Sequence, residues 1–247
     1  MNARAAAKPN VSLRKSKRDG SRITAASIQN NRTMTTMTML NHAQTCFNEF
    51  DKHLMEDEKP SVYFDELVEK EAFPQQYPFT MLTDLIGVEQ SPTHHPEGDV
   101  WRHTMLVVDN AAEIKRLSRQ PRALMWAALL HDTGKKETTK LRKGRITAYD
   151  HDKAGERLAV SFLEACGQSD DFCRQVSALV RWHMQALFAS KNLPFYNPKA
   201  MMAQTDVNEV ALLCLADRLG RGPITAQQLE REQQQIAAFV EKSLKYR

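Results

Sequence analysis

A chain of 247 residues with 42% hydrophobic content has enough apolar side chain for one substantial core, which excludes a wholly disordered protein. No run approaches the roughly 18 to 20 apolar residues of a membrane span, and no charged start leads into an apolar stretch of signal type. The expectation is a soluble, cytoplasmic chain with no membrane partner. The net charge of +4 invites a polyanion, but eight Lys and Arg against Asp19 alone fall within residues 1–33, which leaves 26 basic and 29 acidic residues elsewhere. Basicity belongs to a tail and not to the body.

That tail, residues 1–33, is rich in Arg, Ser, Thr, Ala and Asn without apolar periodicity and reads as disordered. Three readings compete for it: a nucleic-acid-binding arm, an organelle-targeting peptide, and a start assigned too early, since Met34, Met37 and Met39 follow closely. Residues 34–58 read as a helical lead-in, and residues 59–247 as one folded domain without internal repeats.

From about residue 40 the chain reads as helices separated by short breakers, and period-2 alternation is nearly absent, so the body is expected to be all-α. Helices are predicted over Asn41–Met55 and Tyr63–Glu71, with breaks at Lys59-Pro60 and from Pro74 to Pro78. Asp99–Leu117 carries the clearest pattern, with Trp101, Met105, Val108 and Ala112 on one face, an acidic start and Pro121 beyond its end. Further helices are predicted over Pro121–Asp132, Asp152–Ala165, Asp170–Leu187, Val207–Leu219 and Ala226–Lys245. Gly134, Gly167 and Gly220 stand at expected stops, where glycine can take the left-handed conformation that lets a chain leave tightly. The four cysteines, Cys46, Cys166, Cys173 and Cys214, form no C-x-x-C pair and no dense framework, which argues against a thiolate zinc site and for packing residues in a reducing compartment.

The stretch WAALLHDTGKK, Trp126 to Lys136, ends an apolar helix on His131-Asp132. Alone, a His-Asp pair is an ordinary helix end. His103 lies inside the preceding strong helix, His151 opens the next, His183 lies in the one after, and Asp217 in the following one. Singly, each has a bland explanation: a hydrogen-bonded core histidine, or, for Asp217, an ion pair with Arg218 or Arg221. Imidazoles and carboxylates brought from five helices to one point are instead what a first-row metal requires. The helix ending at His131-Asp132 also directs the negative end of its dipole there, which favours a cation.

The order His103, His131-Asp132, Asp217 resembles the HD superfamily of metal-dependent phosphohydrolases. HHPEGDVWRHT (94–104), AALLHDTGK (127–135), HDKAG (151–155) and ADRLGRG (216–222) are similar to the HD domain at the C-terminal end of bacterial tRNA nucleotidyltransferases, the CCA-adding enzymes. The similarity covers about Pro60 to Pro223. Residues 1–58 contain neither the Gly-rich strand turn nor the paired aspartates of the nucleotidyltransferase head, so the resemblance implies the hydrolase module without CCA addition.

The resemblance implies that His103, His131, Asp132 and Asp217 hold a metal, with Asp132 in the bridging position, and that His151 and His183 are the additional ligands of the binuclear branch. One or two divalent ions are expected, Mn, Fe, Co, Ni or Zn in preference to Mg, since the set is rich in imidazole. With two ions, a separation of roughly 3.5 to 4 Å and a shared hydroxide follow. Asp132 and Lys135 are the catalytic candidates; Lys135 replaces the carboxylate that some branches carry three residues after the HD aspartate and suggests a cation for phosphate. Lys135, Lys136, Arg218 and Arg221 are the candidate phosphate-binding residues. Lys135 to Arg145 holds six basic residues (Lys135, Lys136, Lys140, Arg142, Lys143, Arg145) against Glu137, read either as a solvated loop or as an electropositive rim. His94 reads as a loop residue, Pro96 to Asp99 as a turn and helix cap, and Trp101, Trp126 and Trp182 as core or pocket wall.

The leading expectation is a phosphohydrolase, a phosphodiesterase or phosphatase, acting on a nucleotide or an RNA end, with 2′,3′-cyclic phosphodiesters favoured by the resemblance. The alternatives are a nucleotide- or RNA-binding regulatory module with little or no turnover, and a purely structural helical adaptor. The partners implied are a phosphorylated small molecule or RNA end, with RNA contact.

Overall fold

A computed structural model describes the backbone of residues 25–247 and the side chains of residues 40–247; the tail reading for residues 1–24 lies outside the described residues. The first helix, α1 (Ala25–Glu56), begins well before the Asn41 start expected from the sequence. No glycine or proline interrupts that stretch, so backbone propensity continues where apolar periodicity is absent. There follow α2 (Pro60–Glu69) and the short α3 (Thr80–Thr83). Next is α4 (Val100–Ile114), continued by a 3-10 turn over Lys115–Leu117. As expected, Asp99 caps α4, its side chain accepting the Arg102 N–H. Proline at the first turn opens both α2 and α5 (Pro121–Leu130), where its fixed φ and missing N–H do no harm.

The second half comprises α6 (Lys135–Thr138), strands β1 (Thr139–Arg142) and β2 (Arg145–Ala148), then α7 (His151–Ala165) and α8 (Asp170–Trp182). It ends with α9 (Gln185–Ser190), α10 (Pro198–Met202), α11 (Val207–Leu219) and α12 (Ala226–Leu244). The fold is all-α apart from the β1–β2 hairpin, which departs from the sequence reading of a loop. Thr139 pairs with Ala148 and Arg142 with Arg145, and the two-residue turn Lys143-Gly144 has both φ angles positive, 49° and 73°, the handedness that matches strand twist. A second departure concerns the helix expected over Asp170–Leu187, which breaks at His183-Met184 into α8 and α9.

The core explains where the site must lie. Every residue from Ala123 to Leu130 is buried, so α5 is apolar all round and runs through the centre of the domain. Trp126 stacks on Phe47 with ring centroids 4.1 Å apart, and its indole N–H donates to Asp51 at 2.7 Å. α4 and α8 pack on α5, α7 packs along α8, and α11 packs on α4 and α5. The sequence can leave a fully enclosed helix only at its ends, and the C-terminal end is His131-Asp132. Cys166, Cys173 and Cys214 are buried, and burial pushes the Cys166 and Cys214 thiols up to about 12, so they behave as packing groups. Among the described residues, no helix is long and apolar enough to cross a membrane.

Candidate metal centre

Three of the candidate histidines are oriented by the same local device. His131 N–H at Nδ1 donates to the Ala128 carbonyl at 2.8 Å, His151 to Ala148 at 2.7 Å, and His183 to Val180 at 2.7 Å. A carbonyl only accepts, so in the neutral ring the proton sits on Nδ1 and the Nε2 lone pair is bare. The break between α8 and α9 is thus what turns His183 inward, and the α5 end does the same for His131. In His103, on α4, Nδ1 faces Glu97 Oε1 at 2.8 Å and the Gly220 carbonyl at 3.1 Å, and Nε2 faces Asp217 Oδ1 at 3.1 Å.

Asp132 lies among all four rings. Its Oδ2 is 3.2 Å from His131 Nε2 and 3.7 Å from His103 Nε2, while Oδ1 is 3.5 Å from His151 Nε2 and 4.0 Å from His183 Nε2. Ligand atoms therefore converge in two groups that share this carboxylate, His103/His131/Asp132 and Asp132/His151/His183, with Asp217 joined to the first through His103. The structure brings together all six residues expected as ligands.

The same atoms test whether a cation fits. His131 Nε2 and both Asp132 oxygens are buried without a hydrogen-bond partner, an arrangement that costs about 1–3 kcal/mol per group, more for a charged one. Lys135 Nζ lies 2.7 Å from Asp132 Oδ2 as an ion pair, but off the hydrogen-bonding direction. The Nε2 atoms of His151 and His183 stand 3.2 Å apart, about the separation of two imidazole nitrogens each roughly 2.0–2.1 Å from one zinc-like ion. Burial alone would lower His103, yet hydrogen bonds to Asp217 and Glu97 outweigh it and raise the ring to about 9. Burial likewise would raise the Asp132 carboxyl, but His131 and Lys135 hold it well below the carboxylate range. The carboxylates thus draw positive charge to the centre. Burial, with His151 and His131 nearby, lowers His183 to about 4, the neutral form that ligates. Donor set, lone-pair direction and charge all suit a divalent transition metal.

A cavity of about 320 Å³ opens over the cluster, lined by Asp132, Lys135, His151, His183, Asp217 and Arg221 among others. A larger cavity of about 700 Å³, lined by Arg119, Lys199 and Tyr246 among others, contains no such ligand cluster, so chemistry rather than size picks the site. Of the expected phosphate-binding residues, Lys135 and Arg221 reach the smaller cavity, and Arg221 Nε is buried there without a partner. Lys136 and Arg218 do not. Lys136 is exposed and lies 3.6 Å from Asp84, while Arg218 turns to α12 and donates to Glu232 and Gln235, each at 2.7 Å. Arg218 follows Asp217 directly, so one helical step of about 100° points it away from the site.

Sequence reasoning missed Glu97 and His95. Glu97, only 2% exposed in its side chain, accepts from His95 Nδ1 at 2.8 Å and stands 2.8 Å from His103 Nδ1, and its Oε2 is buried and unpaired. Its position in a Pro-Glu-Gly-Asp turn offered a capping explanation that concealed this role; a carboxylate six residues before a candidate ligand histidine was the available signal.

Comparison with known proteins matches residues 100–222 to the HD domain family. Proteins named multifunctional CCA protein are similar in sequence. That of Halorhodospira halophila is 37% identical over 145 residues, covering 56% of this chain and 33% of the relative. That of Aromatoleum aromaticum is 43% identical over 96 residues, 39% and 22% of the two chains. That of Actinobacillus pleuropneumoniae is 41% identical over 83 residues, 34% and 20% of the two chains. The chain thus spans a third or less of the length of these relatives. Glycine turn, enclosed helix and converging imidazoles all fall inside the matched region, and through residues 100–222 this chain belongs to the HD domain family.

Proposed function

We propose that this protein is a metal-dependent phosphohydrolase acting on nucleotides or RNA ends, with 2′,3′-cyclic phosphodiesters as the favoured substrates. The observation that carries the reading is the buried convergence of four imidazoles and two carboxylates, with His131 Nε2 and both Asp132 oxygens unpaired, beneath an open cavity. His103, His131, Asp132 and Asp217 would hold one ion, and Asp132, His151 and His183 a second, with Mn, Fe, Co, Ni or Zn suited to the donors. Held there, such an ion would polarise a phosphate oxygen and lower the pKa of a bound water to near neutrality.

The chain's own residues supply the rest. Lys135 and Arg221 bring cationic nitrogen to the cavity wall, where a phosphate monoanion or dianion is neutralised; Arg221, by its planar fork, suits two oxygens at once. The Gly220 carbonyl and the Glu97 carboxylate, both facing His103 Nδ1, keep the proton of the neutral ring there and so leave Nε2 free to ligate. The buried walls of α5 and α8 exclude water from the far side of the cluster. The similarity to multifunctional CCA proteins supports a nucleotide or RNA end over other phosphoesters.

The test is hydrolysis by purified, metal-analysed protein across mononucleotides, 2′,3′-cyclic nucleotides and RNA ends, with His131→Ala and Asp132→Ala as variants. Loss of hydrolysis in both, with helical content retained by circular dichroism, is expected. Full activity in either would overturn the assignment, and tight nucleotide binding without turnover in wild type would make the chain a binding module instead.

A further inference from the structure

We infer that the β1–β2 hairpin, with Tyr149 at its base, is the docking surface for a single-stranded polynucleotide whose end enters the cavity. This rests on the phosphohydrolase reading for the fate of that end, but the surface is argued on its own observations.

The root of the hairpin walls the cavity through Thr139, Ile146, Thr147 and Ala148. Residues directly opposite in an antiparallel pair share a face. Leu141 with Ile146 therefore stands on one side, and Arg142 with Arg145, together with Lys140, on the other. Lys140, Arg142, Lys143 and Arg145 are all exposed, and among the described residues none of them pairs with a carboxylate. The nearby Asp150 is engaged by Lys153 at 2.7 Å. Four unneutralised cations thus stand on the hairpin whose root, through Thr139 and Ile146 to Ala148, walls the cavity, in a chain whose residues beyond 33 are net acidic.

Charge alone would suit any polyanion. The second observation is aromatic: Tyr149 is 62% exposed at the cavity rim, and the Arg142 guanidinium lies 4.8 Å above its ring centroid. An exposed π-face beside a row of cations is the arrangement that binds single-stranded nucleic acid, stacking a base while the cations follow the backbone. Leu141, 74% exposed, adds an apolar contact on the opposite face, the one Ile146 presents to the cavity. A cavity of about 320 Å³ takes one small ligand. Any longer substrate must leave it across the rim, and the hairpin is there to receive it.

The experiment measures binding and not turnover, so it stands apart from the hydrolase assay. A fluorescent ten-nucleotide single-stranded RNA, the DNA of the same sequence, and a mononucleotide are titrated against full-length wild type, against the combined Lys140→Ala/Arg142→Ala/Lys143→Ala/Arg145→Ala variant, and against Tyr149→Ala. Wild type should bind the ten-nucleotide strand at least about tenfold more tightly than the mononucleotide. The four-site variant should lose most of that difference, and its slope of log affinity against log salt should become shallower by about 2 to 3, at about 0.7 per cation removed. Tyr149→Ala should weaken binding roughly five- to a hundredfold with little change of slope. Metal content and melting temperature of each variant monitor the fold. Unchanged oligonucleotide affinity in a folded four-site variant would overturn the inference, as would poly-glutamate competing as well as the oligonucleotide at equal charge. The RNA and DNA arms separate the two sources of the strand.

Discussion

Substituting Gly134 with alanine should damage the candidate metal centre without altering any ligand side chain. A Cβ at this position would lie 2.1 Å from the His151 carbonyl oxygen, 2.6 Å from the Gly155 amide nitrogen and 3.0 Å from Ala154 Cβ. Two of these atoms are backbone, so no side chain can rotate aside; α7 must retreat by about 1 Å to restore ordinary contact. His151 opens α7, and its Nε2 lies 3.5 Å from Asp132 and 3.2 Å from His183. Metal-ligand distances tolerate only about 0.2 Å, so such a shift pulls one imidazole out of reach. Gly134 has φ of −65°, which alanine adopts freely; the substitution gains about 0.4–1 kcal/mol from a stiffer unfolded chain, against about 1–3 kcal/mol of overpacking. At about 2–4 °C per kcal/mol for a chain of this size, the metal-free protein should melt a few degrees lower. Competition with a chromophoric chelator should show affinity for the second metal equivalent reduced at least about tenfold. A variant that melts within about 1 °C of wild type and binds both equivalents with wild-type affinity would refute the close-approach argument. Gly144→Ala, at φ +73° with nothing within 4 Å of its Cβ, is the control: it strains the hairpin turn and should leave metal binding intact.

Glu97→Gln should lower metal affinity by about 10- to 100-fold while helical content stays intact, because the neutral amide still accepts from His103 Nδ1 but removes the buried negative charge that makes the ring a stronger donor at Nε2; isothermal titration of the metal-free chain measures it, and wild-type affinity would reduce Glu97 to a turn residue. The double variant His151→Ala/His183→Ala should take metal stoichiometry from two to one on folded protein, and one equivalent in both proteins would leave a mononuclear site. Arg218→Ala should lower stability by about 1 kcal/mol, since it removes a largely buried ion pair with Glu232, and leave the KM for small phosphoesters unchanged; a KM raised tenfold or more would restore Arg218 to phosphate binding.

The residue types at the candidate site were legible in the amino-acid sequence because they interrupt patterns. His103, His131, Asp132 and Asp217 are polar groups on helices whose other inward positions are apolar, and a polar group in such a place needs a partner whatever the tertiary structure is. The start of α4 was legible for a local reason as well: the Asp99 cap bonds to an amide three residues away. What depends on distant atoms was not legible. Gly134 and Gly220 stood at the expected stops but for a different reason: neither has positive φ, and each is small because another backbone or side chain presses on it, α7 at Gly134 and Val107 of α4, 2.5 Å from a Cβ, at Gly220. Arg218 and Arg221 look equivalent in ADRLGRG, yet only the packing of α12 against α11 decides that the first is tied to Glu232 and the second reaches the cavity. Glu97 read as part of a turn until α4 placed His103 Nδ1 within 2.8 Å of it. Side-chain chemistry and local caps are properties of neighbours in sequence, whereas the direction a side chain takes and the reason a glycine is required are set by elements that meet only when the chain has folded.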